Sequence, residues 1–260
     1  MTSTQATESQ VPENEVRILS LDIETRPNLA FVWGLWDQNV GLNQLVEEVE
    51  VICFGAKWYG HPKVEFYSVH GGGKEQMIAE AYRLLDECDV AMGFNSRKFD
   101  IPHLNREFLV AGYTPPSPYR QVDLYLACRK QFNFPSNKLA HISKALGLEG
   151  KVSHEGFELW TKCMAGDAKA WATMERYNRQ DVVLVEQLYE RLKPWIPNHP
   201  SMAAMSGEDV CPTCGSSDTM RRGTAYTPQS AFQQFQCQSC GRYFRGTARD
   251  FGVRVREVAL

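Results

Sequence analysis

An apolar run that ends on two acids, Ile18-Leu-Ser-Leu-Asp-Ile-Glu-Thr25, constrains this chain more than any other eight residues. From Val16 to Leu21 it is mostly apolar, as in a central strand covered on both faces. Residues i and i+2 of a strand point to the same face, so Asp22 and Glu24 converge at its end. Two anions side by side repel. One keeps its proton, a cation sits between them, or the strand end meets water. Buried carboxylates without a positive partner are costly.

The text around that run alternates between strand and helix signals. "VICFGAKWYG", "KVEFYSVH" and the short "DVAMGF" read as strands. "KEQMIAEAYRLLDEC" has helical spacing. "DIPHLNREFLVAG" opens with Asp100 and Pro102, both helix-start signals, and "NKLAHISKALGL" carries a helical stripe ended by glycine. "ATMERYNRQDVVLVEQLYERLK" predicts a long last helix stopped by Pro194. Strands with helices packed around them imply a layered α/β or α+β fold. "HGGGK" is a turn and not a phosphate loop, since Ser68 stands where the first glycine belongs and Glu75 follows the lysine. Prolines and small residues between 194 and 209 read as a linker. The expected organisation is a disordered lead-in over 1–15, a large domain over 16–195, a linker over 196–209 and a small unit over 210–260.

The 260 residues carry a net charge of −3, so a nucleic-acid partner would be met by local patches and not by a global field. No stretch reaches membrane-spanning length, and the first residues lack the apolar core of a signal peptide, so an intracellular (cytoplasmic) setting is expected. Cysteines stay reduced there. Cys53, Cys88, Cys128 and Cys163 stand singly and read as buried small hydrophobes.

Two further stretches bring acids. "GFNSRKFD" delivers Asn95, Phe99 and Asp100 after a strand, although Asp100 alone also reads as a helix N-cap. "YNRQDVVLV" puts Tyr177 and Asp181 four apart on one helix face, an arrangement many helices carry. Four acids from two strand ends and two helices suit hard divalent cations such as Mg²⁺ or Mn²⁺. Two such ions ~3.5–4 Å apart clamp the attacking and leaving oxygens of a phosphodiester displacement. With an unperturbed pKa of about 10, Tyr177 is a poor base and is better suited to orienting water.

"DIET", "NSRKFD" and "YNRQD", in this order, resemble the three motifs of the ribonuclease-H-like DEDD exonucleases. The tyrosine makes the set similar to the DEDDy branch, as in proofreading domains of family B DNA polymerases; the sister branch has histidine there. "NKLAHISKALGLEGK" resembles the segment between the second and third motifs, and the likeness runs from about Val16 to Leu192. It implies a mixed five-stranded sheet flanked by helices, two-metal catalysis and stepwise removal of nucleotides from a 3′ end. Asp22, Glu24, Asp100 and Asp181 map onto the metal ligands and Tyr177 onto the water-orienting residue. Asn95 maps onto a substrate contact and Phe99 onto a packing or stacking residue. His154 lies too far upstream of Asp181 to replace Tyr177 and reads as a loop or helix-start residue. Polymerase motifs are absent, which implies a free-standing nuclease or a detached proofreading subunit. Trp33 and Trp36 either stack on bases or anchor a long connection, and Lys138 and Lys151 either meet phosphates or are surface lysines.

Near the C-terminus Cys211-x-x-Cys214 and Cys237-x-x-Cys240 are separated by 22 residues, a spacing typical of a closed, structural zinc site. The unit resembles a zinc ribbon, and without metal its core would be too small. Between Thr219 and Arg249 there is no Asp or Glu, but five arginines: Arg221, Arg222, Arg242, Arg245 and Arg249. Interleaved aromatics make this a candidate single-strand surface, with part of them expected in the ribbon core and docking of a replication or repair protein as the rival. The expected function is a metal-dependent 3′→5′ exonuclease acting on DNA, its partner a single-stranded 3′ end. RNA as substrate, or a non-catalytic nucleic-acid-binding adaptor, are the alternatives.

Overall fold

The computed structural model describes residues 16–148 and 155–252, with side chains to 248. The expected disordered lead-in, Lys151 and His154 lie outside the described residues. The chain divides into two compact units, Arg17–Asn198 and a C-terminal unit from His199.

The larger unit contains β1 (Ile18–Thr25), β2 (Leu29–Ala30), β3 (Leu45–Glu47), β4 (Val51–Trp58), β5 (Glu65–Ser68), α1 (Gly73–Glu87), β6 (Val90–Gly93), α2 (Asp100–Val110), β7 (Arg120–Asp123), α3 (Leu124–Gln131), α4 (Leu139–Ala145), α5 (Phe157–Met164) and α6 (Ala168–Leu192). Five strands form one mixed sheet in the order β5-β4-β1-β6-β7. β1 is central, antiparallel to β4 and parallel to β6. This is the expected α/β architecture, a mixed five-stranded ribonuclease-H-like sheet flanked by helices.

Two apolar layers hold the sheet. Leu19, Leu21 and Ile23 of β1 join Leu84 and Leu85 of α1 and Leu104 and Phe108 of α2 in one core. On the other face Ile52 and Cys53 of β4 meet Leu159, Trp171, Met174 and Tyr177 from α5 and α6. Each fully buried large side chain contributes on the order of 1.5–3 kcal/mol. From Leu19 to Glu24 the central strand alternates strictly. Its apolar residues face α1 and α2, and Ser20, Asp22 and Glu24 face α6. The Ser20 hydroxyl donates to the Val182 carbonyl of α6 at 3.2 Å, which fixes that parity.

α6 begins four residues earlier than its sequence pattern implies. Asp167 caps it, accepting from the backbone N–H groups of Lys169 and Ala170. The segment between β1 and β4 forms a small β2–β3 ribbon. It is tied down by Arg26, which pairs with Glu47 and Glu50.

In the C-terminal unit α7 (Met202–Ser206) precedes an antiparallel sheet of β8 (Thr219–Thr227), β9 (Ser230–Cys237) and β10 (Tyr243–Gly252), ordered β10-β9-β8. Part of the span expected as a linker is therefore helical. Ser201 caps α7, Met202 is buried, and the Met202 N–H donates to the Pro212 carbonyl beside the first cysteine pair. A five-residue helix is too short for periodicity to reveal. After each second cysteine a glycine, Gly215 or Gly241, takes positive φ, as the knuckle requires.

Candidate active site

β6 pairs with β1 only as far as Ser20↔Met92. Beyond that point the chain turns away through Gly93, where a Cβ would lie 2.6 Å from the Ser96 Cβ. Asn95 follows at φ 66°. The turn leaves the Ile23 N–H of β1 without a strand partner, and the Asp100 Oδ1 accepts it at 3.0 Å. This replaces the N-cap reading of Asp100. Phe99 occupies the N-cap position without a side-chain cap bond, and Asp100 reaches across to the sheet, between Asp22 and Glu24. Burial pushes the Asp100 carboxyl up to about 7; the Ile23 N–H works against this, and the charge of Asp123 adds to it.

α6 supplies the other side. Tyr177, Asn178 and Asp181 are all buried. Asn178 Nδ2 donates to Asp22 Oδ2 at 2.9 Å and to the Asp22 carbonyl at 3.1 Å. Desolvation, then the negative charges of Glu24, Asp181 and Asp22, hold the Tyr177 phenol far above its ordinary pKa, and a hydrogen bond with Asp181 adds to this. Tyr177 is therefore a neutral hydroxyl and not a base. Asp22, Glu24, Asp100 and Asp181 thus gather where β1, α2 and α6 meet. Their oxygens do not close up as tightly as sulfurs can. Among the described residues, only the cysteine quartet forms a group of three or more potential ligands within 4.8 Å of one another. Four anions repel, and a pair of hard cations takes its oxygen ligands from around both ions.

Beside Glu24 an open cleft of about 560 Å³ is lined by Thr25, Arg26, His103, Phe157 and Trp160 among others. The Trp160 ring lies 6.3 Å from that of Tyr177, edge to face. Trp160 therefore links the cleft wall to the Tyr177 side of the carboxylate site.

A model of the RNase H superfamily matches residues 19–193. The chain belongs to the RNase H superfamily. No curated protein sequence matches it. Among solved structures it is similar to the family B DNA polymerase from the hyperthermophilic archaeon Pyrobaculum calidifontis, at 16% identity and a TM-score of 0.51. That likeness covers 84% of this chain and 32% of the polymerase chain, and shows a shared fold.

Several residues of this RNase H superfamily domain escape a reading of the sequence. Asp123 ends β7, caps α3 and accepts from the N–H groups of Asn95, Arg97 and Leu126, at 3.0, 3.2 and 3.2 Å. It thereby holds the turn that carries Asn95 and Asp100. Its only local signal is an acid placed before a helical run. Asn178 adjoins Tyr177 in the third motif, yet only the fold brings it onto Asp22. Phe157 and Trp160 come from α5, a helix the sequence pattern does not announce.

Phe99 is 38% exposed, its ring 4.8 Å from His103. Trp33 is fully exposed and Trp36 is 85% exposed, so neither anchors the connection by packing. The β2–β3 ribbon and Arg26 do that instead. Lys138 is a surface residue at the start of α4.

In the C-terminal unit the cysteines come together as pairs, Cys211 Sγ 3.7 Å from Cys240 Sγ and Cys214 Sγ 3.6 Å from Cys237 Sγ. Four sulfurs around a tetrahedral ion at about 2.3 Å stand roughly 3.8 Å apart, so the quartet fits one such metal. Backbone N–H groups of Thr213 and Cys240 point at Cys211 and Cys237 sulfurs. Among the described residues no helix is long and apolar enough to cross a membrane.

Proposed function

We propose that the chain is a metal-dependent 3′→5′ exonuclease of the DEDDy type, hydrolysing phosphodiester bonds at DNA ends, single-stranded ones foremost. The observation that carries this is the gathering of acids from three elements: Asn178 of α6 donates to Asp22 of β1, the Ile23 N–H of β1 donates to Asp100 of α2, and Tyr177 stands beside Asp181 on α6, near Asp22 and Glu24. Asp22, Glu24, Asp100 and Asp181 are an all-oxygen donor set suited to Mg²⁺ or Mn²⁺. Two such cations, when bound, supply water activation at neutral pH and offset charge on the phosphodiester.

The chain's own residues do the rest. Asn178 fixes the rotamer of Asp22. The neutral Tyr177 hydroxyl orients the attacking water by a hydrogen bond. Asn95, in its left-handed turn, faces substrate, and Phe99 stacks on a base. Exposed Trp33 and Trp36 offer further stacking, each worth ~1–3 kcal/mol per base. The cysteine quartet holds one structural Zn²⁺ in an intracellular, reducing setting. The reading places the chain in replication or repair, either alone or beside a polymerase.

The test is a 5′-labelled single-stranded DNA incubated with Mg²⁺ or Mn²⁺, comparing wild type with an Asp22→Ala, Glu24→Ala variant. The expected result is a ladder of shortening products that the variant and EDTA abolish. A ribonucleotide strand cut faster than DNA shifts the reading to an exoribonuclease. A strand that is bound but left intact on both backbones makes the protein a nucleic-acid-binding adaptor.

A further inference from the structure

The three-stranded sheet of the C-terminal unit has two faces of different chemistry. Cross-strand register puts Met220, Gln236 and Tyr243 in one row, with Gln234 beside Arg245 on the same face. Arg222 joins this face, its Nε donating to Gln236 Oε1 at 3.1 Å. The Arg245 guanidinium lies over the Phe232 ring, 3.9 Å from its centroid. The opposite parity carries Arg221, Phe235 and Phe244, with the two rings stacked at 5.6 Å. That face spends its aromatics on each other, while the first leaves Tyr243 52% exposed.

Charge points to the occupant. No Asp or Glu occurs between Thr219 and Arg249. Arg222 and Arg245 are exposed, and among the described residues neither is ion-paired. Their partners are a neutral amide and a ring, so both charges remain open to an outside anion. Arg222 stands on β8 and Arg245 on β10, two strand spacings or roughly 10 Å apart. Guanidinium groups bind phosphate bidentately, and one already seated on a ring loses less freedom in doing so. On the same face the exposed Tyr243, two residues from Arg245 on β10, offers a base a stacking surface without reading its identity.

We propose that this face, carried by Arg222, Tyr243 and Arg245, binds single-stranded nucleic acid as a second contact surface in addition to the carboxylate site. It rests on the nuclease reading only in taking the bound strand to be the substrate. An acidic protein partner is the competing occupant. It would use the arginines but would not need the exposed ring.

The test measures binding of the full-length chain to a 5′-labelled single-stranded DNA over a range of salt, without added Mg²⁺ or Mn²⁺. Zinc content and circular dichroism confirm that each variant is folded. An Arg222→Gln, Arg245→Gln variant should lower the slope of log affinity against log salt by about 1.4, since each phosphate contact on a single strand contributes ~0.7. Tyr243→Ala should weaken binding by roughly tenfold. Arg221→Gln, on the other face, should leave the slope unchanged. If the double variant keeps the affinity and slope of wild type, the proposal falls and the face belongs to a protein partner. A ladder assay in parallel separates the two readings. Wild type that leaves DNA intact while the double variant still loses binding sinks the nuclease reading alone. Wild type that cuts while the double variant binds unchanged sinks this proposal alone.

Discussion

Gly55 of β4 lies directly across from Asp22 of β1, and a Cβ at Gly55 would stand 2.5 Å from the Asn178 Oδ1. The same Cβ would be 2.9 Å from a Val182 methyl. The missing side chain is what lets α6 press Asn178 down onto Asp22. Gly55→Ala should therefore cost about 1–3 kcal/mol through overpacking. Urea unfolding should show a lower midpoint with an unchanged slope.

Removing the amide itself tests a different link. Asn178→Ala removes the amide that donates to the Asp22 carboxylate and carbonyl. Partners that orient a metal ligand are typically worth 10–100-fold. Single-turnover cleavage under Mg²⁺ titration should show a higher half-saturating Mg²⁺ concentration and a rate lowered by that order. Asn178→Asp should be worse, because it sets a second anion beside Asp22.

Tyr177→Phe keeps the ring that packs against Trp160 and removes only the hydroxyl. Misplacing a reactant by about 1 Å costs on the order of a hundredfold in rate. The expected outcome is a large fall in kcat, a nearly unchanged KM and a thermal midpoint close to wild type. A parallel loss of stability would show that the hydroxyl is structural instead.

The Asp100 carboxyl predicts an unusual pH profile for the metal-free protein. In the fold it keeps its proton up to about pH 7, against an ordinary value near 3.8. Between those values the folded chain binds more protons than the unfolded one. Its contribution to stability is thus full below about pH 4 and is lost as pH rises through about 7, up to roughly 4 kcal/mol in all. Denaturation at pH 5 and pH 8 without divalent cations should show this decline. Asp100→Asn should flatten it.

Cys214→Ser opens the sulfur quartet. On the zinc reading, wild type should carry one zinc per chain and the variant none. The β8–β10 sheet should unfold, since a unit this small draws much of its folding energy from the metal. The Arg17–Asn198 unit has its own core and should keep its own unfolding transition. Metal analysis with circular dichroism would check both.

The chain's local text carries a good part of this. Period-two spacing put Asp22 and Glu24 on one strand face, and period-3.6 spacing put Tyr177 and Asp181 on one helix face. Both follow from backbone geometry, which a residue's neighbours in sequence already set. The cysteine spacing likewise specified a four-sulfur cluster, because a Cys-x-x-Cys turn is a local structure.

Other features had no local signal. Asp100 reads as a cap until β6 turns away and leaves the Ile23 N–H for it. Asp123 reads as a helix start, yet it also holds the turn at Asn95 from 28 residues away. Trp33 and Trp36 are apolar enough for a core, but the chain around them is held by Arg26 and backbone pairing, so they stay in water.

Sequence by itself determined which side chains share a face, since strand and helix periods are properties of a few adjacent residues. Tertiary structure alone decided which faces meet: Asn178 over Asp22, Asp100 on Ile23, Arg222 beside Gln236 on an open sheet. Those pairings depend on packing between segments far apart in the chain, where burial and unmet backbone hydrogen bonds choose partners that no local pattern encodes.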